Sequence, residues 1–181
     1  MVLEMDETVT DKTDVTAPER TWEELQSRLA GSFTARTSGL LTPEISLSGP
    51  EGEFARMKPR GLSGADVMVG ASKVTIERTG DNRYRMLSGG VTMLVAKPAR
   101  SSADSLKIKA GGDAYEARVS FIRNTAEVRS HRGEEIVRLE GNLTGRRYRA
   151  ILDPEAESAL PAAIFLLYHT VAHRNQAYRV G

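Results

Sequence analysis

Two histidines near the C-terminus have the spacing of a metal site. His169 and His173 stand four positions apart, so on a helix their imidazole rings share one face, as they do in zinc-binding helices. However, Thr170 occupies the position at which zincin-type motifs carry a glutamate, and the third histidine, His131, lies in a turn-like segment. We therefore expect no metal and no cofactor, and predict that these histidines bond to strand carbonyls or reach solvent.

Two glycine-rich segments approach catalytic or phosphate-binding motifs. Gly61-Leu62-Ser63-Gly64-Ala65 nearly matches a nucleophile elbow, but its last position is Ala and the residues that follow alternate like a strand instead of a helix. The segment GADVMVGASK has glycines at the wrong interval for a phosphate loop and lacks Gly-Lys-Ser/Thr. The chain has no cysteine, which excludes a thiol nucleophile and structural disulfides. We assign no catalytic residues, and the sequence favours a non-enzymatic protein over an enzyme.

Basic residues that could bind an anion occur in three short stretches, Lys58-Pro59-Arg60, Arg83-Tyr84-Arg85 and Arg146-Arg147-Tyr148-Arg149. On a strand, Arg147 and Arg149 project to the same face, opposite Tyr148, and Arg146 in the adjoining turn can reach the same region. The alternative is a solvated outer sheet face, since surface arginines need no ligand. Nucleic-acid binding is not expected, because the aromatic residues of the chain alternate inward instead of forming a stacking platform.

The elements that must position these residues are mostly strands. From Val74 onward, apolar and polar residues alternate, most clearly in Tyr115 to Phe121, and glycine-rich turns separate the segments roughly every 8 to 12 residues. Shorter extended pieces cover residues 44–48 and 53–57. This pattern predicts a mainly β (α+β) fold, an antiparallel meander that closes or nearly closes into a barrel. Thr21-Trp22-Glu23-Glu24 fits a capping box and predicts a short N-terminal helix.

The apolar segment near the C-terminus predicts a core helix over about residues 158–174. Its uninterrupted apolar run, Ala159 to Tyr168, is ten residues long, whereas a span of the bilayer takes about 20. The helix would be apolar on nearly every face, so the rest of the fold must surround it. Asp153 or Ser158 can cap its start, and Pro161 then falls in the first turn.

Charge divides the chain into a tail and one domain. Residues 1–20 hold six acidic and two basic residues, which predicts a disordered acidic tail of net charge −4. Residues 21–181 then carry 23 basic and 18 acidic residues, a net charge of +5 for a single barrel domain. The N-terminus lacks the pattern of a signal peptide, so we expect a soluble cytoplasmic protein that can associate peripherally with a membrane.

The order of elements resembles the tubby C-terminal-like superfamily, which includes the plant LURP-one-related proteins and the phospholipid scramblases. The resemblance covers about residues 40–175 and is carried best by RRYRAILDPEAESALPAAIFLLYHTVAH, a last strand, a short acidic turn and the apolar helix. It implies a β-barrel wrapped around a buried C-terminal helix. The chain lacks the cysteine cluster and the further transmembrane stretch of scramblases, so scrambling activity is not expected.

The function implied by this resemblance is a non-enzymatic module that binds an anionic lipid headgroup or a protein partner, with Arg146, Arg147 and Arg149 as its anion-binding residues. A small-ligand carrier or a barrel enzyme is the alternative, although the predicted helix would fill the lumen that such a carrier needs. An interaction module whose acidic tail competes for the basic face is a third hypothesis.

Overall fold

The protein consists of twelve strands between two helices. The structure, a computed structural model, describes residues 18–179 and the side chains of residues 22–177. A 3-10 turn, Gly61–Ser63, separates the third and fourth strands. The elements are α1 (Pro18–Arg28), β1 (Ser32–Ser38), β2 (Glu44–Gly49), β3 (Gly52–Pro59), β4 (Gly64–Val69), β5 (Ser72–Gly80), β6 (Arg83–Ser88), β7 (Val91–Pro98), β8 (Ser105–Ala110), β9 (Asp113–Ser120), β10 (Thr125–Ser130), β11 (Glu135–Gly141), β12 (Arg147–Leu152) and α2 (Ala159–Arg179).

The strands form a closed antiparallel barrel. Each strand pairs with its neighbours in the chain, and β1 closes the sheet by pairing with β12 as well as with β2. Phe33 lies opposite Ala150 across this closing pair. The barrel therefore has no unpaired strand edge within the described residues, which confirms the predicted closed meander.

Alternation along the strands separates core from solvent. In β9, Tyr115, Ala117 and Val119 are buried, whereas Glu116 and Arg118 are exposed, as the period of two predicts. Most of the other strands follow the same pattern, with a break in β11, where the consecutive residues Ile136 and Val137 are both buried. The inner faces supply a continuous apolar lining.

Helix α2 fills the barrel. Every residue from 158 to 172 is buried, and Phe165 and Leu166 have no exposed surface. This confirms the predicted core helix, which continues beyond residue 174 to Arg179. No helix in residues 18–179 is long and apolar enough to cross a membrane.

The direction of α2 distinguishes the two ends of the barrel. At the exit end, where α2 finishes, the Tyr168 hydroxyl donates to the Gly61 carbonyl (2.9 Å) and Arg174 Nη2 donates to the Leu143 carbonyl (2.6 Å). Helix α1 packs at the entry end, where α2 begins. The exit-end loops are 39–43, 60–63, 81–82, 99–104, 121–124 and 142–146, and the entry-end loops are 50–51, 70–71, 89–90, 111–112, 131–134 and 153–158.

The start of α1 differs from the prediction. The helix begins at Pro18, where proline suits the first helical turn, so Thr21 lies inside the helix and the predicted capping box is wrong. Residues 18–20 of the predicted acidic tail belong to this helix, and residues 1–17 lie outside the described residues.

A glutamine from α1 caps α2. Ser158 directly precedes the helix and its carbonyl accepts from Ala162 N (3.1 Å), but the side-chain oxygen that accepts from Leu160 N (3.1 Å) belongs to Gln26. The Gln26 amide nitrogen donates in turn to the Ala156 carbonyl (2.7 Å). Gln26 is buried, so this single side chain joins the two helices at the entry end.

Truncating a core residue of α2 should destabilise the whole barrel. Leu166→Ala removes buried methyl groups and leaves a cavity, so we expect the free energy of unfolding to fall by about 2 to 5 kcal/mol. Leu40→Ala, at a side chain that is 88% exposed, is the matched control and should change it by less than about 0.5 kcal/mol. Equal denaturant midpoints for the two variants would contradict the enclosed-helix structure.

Removing the glutamine cap should also cost stability. Gln26→Met keeps the side-chain volume but leaves Leu160 N without its acceptor and removes one of the two donors to the Ala156 carbonyl, so we expect a loss of about 1 to 3 kcal/mol. Gln176→Met, the same change at an exposed position, should be near neutral. Chemical denaturation measures both, and an unchanged midpoint for Gln26→Met would show that the cap contributes nothing.

Candidate functional site

The turn before β12 is built around one asparagine. Asn142 Oδ1 accepts from the backbone N–H groups of Arg146 (3.1 Å) and Arg147 (3.2 Å). Gly145 has a φ of +67°, and a Cβ there would lie 2.6 Å from Arg174 Nε, so this turn requires glycine. The backbone that presents the first two arginines is thereby held in one conformation.

The neighbouring hairpin braces this turn. Asn124 Nδ2 donates to the Asn142 carbonyl (2.9 Å), and Asn124 Oδ1 accepts from the buried Tyr148 hydroxyl (2.9 Å). On the other side, Thr37 N donates to the Arg146 carbonyl (2.8 Å), which ties the turn to β1. The β9–β10 loop and strand β1 therefore hold the turn from both sides.

Four arginines form a cluster on the outer face of this region. Arg147 and Arg149 are exposed and Tyr148 is 3% exposed, as predicted from the strand period. Arg146 is exposed in the adjoining turn, also as predicted. The structure adds Arg36, which lies directly opposite Arg147 across the β1–β12 pair. We call Arg36, Arg146, Arg147 and Arg149 the arginine cluster.

Sequence reasoning missed Arg36 because its place beside Arg147 depends on how the barrel closes. The pairing joins the first and last strands, and no local pattern in either strand specifies that register. The available signal was only that Arg36 alternates with the apolar Ala35 and so faces outward.

The arginine cluster is not neutralised by acids. None of its four members forms an ion pair within residues 22–177, although Glu140 lies opposite Arg149 on β11. Like charges directly opposite each other on paired strands are destabilising, so the pair Arg36 and Arg147 costs stability. By contrast, six other outer arginines form ion pairs: Arg56, Arg60, Arg78, Arg85, Arg129 and Arg138.

The surroundings of the cluster suit an oxyanion. A shallow groove of about 710 Å³ runs along Arg36, Arg147 and Arg149, and the hydroxyl-bearing residues Thr34, Ser46 and Ser48 line it. Guanidinium groups bind phosphate and carboxylate oxygens in a forked geometry. The Thr34 and Ser46 hydroxyls already donate to the Ser48 (3.4 Å) and Arg36 (3.5 Å) carbonyls. Glu140 is the one acid that lines this groove. The arrangement can bind an anion with several oxygens, and it contains no nucleophile paired with a base.

The histidine pair lies inside the exit end, away from this groove. His169 has no exposed surface, and its Nε2 donates to the Ala103 carbonyl (2.7 Å), which belongs to the loop 99–104 and not to a strand as predicted. His173 is half-buried. The centroids of their rings are 4.3 Å apart. His169 Nδ1 and His173 Nε2 are buried without a hydrogen-bond partner. Within the described part of the chain, no group of three or more histidines and carboxylates could hold a metal ion.

Burial disfavours the charged form of both histidines. Desolvation, and next the charge of His173, lowers the pKa of His169 from 6.5 to about 4. Desolvation, and next the charge of Arg78, lowers the pKa of His173 as well. Protonating either ring would place a charge in the apolar interior beside Phe121 and Phe165.

The two glycine-rich segments have structural roles. Ser63 lies in the 3-10 turn before β4, and its hydroxyl donates to the Arg60 carbonyl (2.6 Å). The Tyr84 hydroxyl donates to the Leu62 carbonyl (2.8 Å), which fastens the same turn to the core. Residues 64–73 form the β4–β5 hairpin, so neither segment has the strand-turn-helix setting of a catalytic or phosphate loop, as predicted.

Acid should destabilise the barrel through His169. The unfolded chain protonates this residue near pH 6.5, whereas the folded chain keeps it neutral to about pH 4. The free energy of unfolding should therefore fall as pH drops through this window, by about 1.4 kcal/mol per unit and about 3 kcal/mol in all. His169→Gln keeps a donor for the Ala103 carbonyl but cannot titrate, so its stability should fall less over the same window.

Urea denaturation at several pH values tests this expectation. His131→Gln, which replaces an exposed histidine, is the matched control and should follow the wild-type pH dependence. Parallel stability curves for wild type and His169→Gln would show that His169 does not titrate on unfolding.

Comparison with known proteins does not assign a function to this site. No protein family model, no curated protein and no solved structure matches the chain. A fold hosts many functions, so the barrel by itself does not identify one, and the chemistry of the arginine cluster is the basis for a functional conclusion.

Proposed function

We propose that the protein is a non-enzymatic module that binds anionic phospholipid headgroups through the arginine cluster. The observation that carries this proposal is the direct opposition of Arg36 and Arg147 across the β1–β12 pair, without an ion-pair partner for either among residues 22–177. A phosphate that binds between two opposed guanidinium groups turns their repulsion into attraction for a shared ligand.

We further propose that the chain is a member of the tubby C-terminal-like superfamily. The support for membership is architectural: a closed antiparallel barrel surrounds a C-terminal helix, which is what the resemblance of the last strand, acidic turn and helix implies.

The position of the cluster favours an extended anionic surface over a small enclosed ligand. Its arginines are exposed on the outer face of the sheet, and the groove beside them is shallow, so a membrane can approach without any rearrangement of the barrel. Anionic lipids attract each basic residue near the surface by about 1 kcal/mol, and these contributions accumulate over a cluster.

The filled interior argues against a ligand carrier or a barrel enzyme. Helix α2 occupies the lumen with side chains such as Ile164, Phe165 and Leu167, all without exposed surface. A hydrophobic cargo would have to displace this helix, which is the centre of the core. An acidic protein partner presents the same negative charge as a lipid headgroup, and binding to vesicles separates the two.

Loss of the predicted arginines should abolish most vesicle binding. Replacing Arg146, Arg147 and Arg149 with alanine should weaken binding to anionic vesicles by about 3 kcal/mol, a factor of about 100. Wild-type binding should fall steeply with added salt, because the Debye length is only about 8 Å at physiological ionic strength. Co-sedimentation with phosphatidylcholine vesicles, with and without phosphatidylserine, measures both effects.

The matched control removes the same charge from another part of the outer sheet. Lys107, Lys109 and Arg118 are exposed on β8 and β9, and their replacement with alanine should change binding much less than the loss of the cluster. Equal losses in the two triple variants would reduce the proposal to a net-charge effect. An absence of wild-type sedimentation with anionic vesicles at low salt would reject it and leave an acidic protein partner as the better hypothesis.

A further inference from the structure

The large hydrophobic side chains that are most exposed all lie at the exit end. Leu40, Leu41, Ile122 and Leu143 are between 88% and 97% exposed, whereas the next, Val91, is 58% exposed. They lie in the loops 39–43, 121–124 and 142–146. Single exposed aliphatic residues are ordinary, but four of them at one end of a closed barrel form a distinct apolar surface.

These loops are neighbours on the rim. The barrel order β2, β1, β12, β11, β10, β9 places the β1–β2, β11–β12 and β9–β10 hairpins side by side over half of the exit end. We call Leu40, Leu41, Ile122 and Leu143 the apolar rim. The arginine cluster lies within this half, because Arg36 and Arg147 belong to β1 and β12.

Charge distinguishes the two ends of the barrel. The exit-end loops carry four arginines and two aspartates, a net charge of +2, whereas the entry-end loops carry five acids and one arginine, a net charge of −4. Both exit-end aspartates, Asp81 and Asp104, lie in the other half of the exit end, whose loops 60–63, 81–82 and 99–104 contain none of the apolar-rim residues. The half with the apolar rim therefore has exposed aliphatic side chains and arginines, and its loops contain no acidic residue.

We propose that the apolar rim inserts into the lipid bilayer interface, so that the exit end of the barrel faces the membrane. This inference rests on the proposed headgroup binding and adds to it an orientation and a hydrophobic contribution. The arginines would contact the lipid phosphates, while the leucine and isoleucine side chains would lie deeper, at the boundary between headgroups and acyl chains. Binding would then depend on both charge and buried apolar area.

A membrane fits this surface better than a second copy of the chain. The four side chains of the apolar rim protrude from their loops. A protein partner can bind them only if it has apolar pockets of matching shape, whereas a fluid bilayer interface adapts to their arrangement. The entry end has the opposite charge, but the large exposed hydrophobic residues near it among the described residues, Val91 and Met68, are only 58% and 45% exposed. Head-to-tail contact would therefore leave the apolar rim without a matching apolar surface.

The rim is preorganised for insertion. Asn124 connects the β9–β10 hairpin to the β11–β12 hairpin, and Arg174 holds the Leu143 carbonyl from the core helix. In the third loop, Gly39 has a φ of +85° and a Cβ there would lie 2.5 Å from the Thr42 carbonyl oxygen. Loops that are already held in place lose little further conformational freedom on binding.

Tryptophan placed at the tips reports insertion directly. The chain has one native tryptophan, Trp22, at the entry end, so Trp22→Phe provides a background for Ile122→Trp and Leu143→Trp. With phosphatidylserine-containing vesicles, both should shift their emission to shorter wavelength and be quenched by lipids brominated on the acyl chain. Val91→Trp, at the entry end, is the matched control and should show neither effect.

A serine variant tests the energetic contribution. Replacing all four residues of the apolar rim with serine should weaken vesicle binding by about 100-fold, because four aliphatic side chains no longer transfer to the interface. The salt dependence should stay close to that of wild type, because the arginines remain. The four positions of the serine variant are exposed loop positions, whereas Trp22 is buried, so a thermal melt of each variant verifies that the barrel is intact.

The outcomes separate this inference from the proposed function. If the wild type binds vesicles and loses binding with the arginine cluster, but both tryptophans stay unshifted and the serine variant binds fully, insertion is rejected and headgroup binding stands. Without wild-type binding, both proposals fall. If the wild type instead self-associates in sedimentation equilibrium and the serine variant does not, the apolar rim is an interface between copies, and the membrane assignment is wrong.

Discussion

The apolar surface on every face of helix α2 is the constraint on which the rest of the structure depends. Such a helix cannot lie on the surface of a protein, because no face of it tolerates water. A sheet that closes around the helix buries all of its faces and also removes the exposed strand edges of an open sheet. The same solution fills the lumen, so that binding to this protein has to take place on its outer surface or its rim.

The helix is also the element that connects the core to the candidate site. At the entry end, Gln26 supplies the oxygen that Leu160 N requires, which fixes where the helix begins. At the exit end, the polar residues of α2 donate to loop carbonyls, with His169 bound to Ala103 and Arg174 bound to Leu143. The turn that carries Arg146 is therefore supported from the core, and its position depends on the packing of the whole helix.

A feature could be predicted from the sequence when the residues that determine it are close together in the chain. Alternation along β9 and the apolar run of α2 are local signals, and they were sufficient for the barrel, the core helix and the outward direction of Arg147 and Arg149. Arg36 and Gln26 could not be assigned, because each acts through a partner more than a hundred residues away in the chain. The capping box at Thr21 failed for a different reason: Pro18 starts the helix earlier.

The direct opposition of two arginines across β1 and β12 distinguishes the candidate binding surface from the rest of the outer sheet. Elsewhere some outer arginines face acids across neighbouring strands, as Arg85 faces Glu77, whereas others, such as Arg83 and Arg118, form no ion pair within residues 22–177. Exposed ion pairs of this kind contribute little beyond local neutrality. Where β1 pairs with β12, Arg36 and Arg147 lie directly opposite each other. The closure of the barrel therefore creates a positive site that neither strand has alone. Because strand pairing fixes the spacing of that site, an anion that binds there does so without the entropic cost of gathering mobile side chains from separate loops.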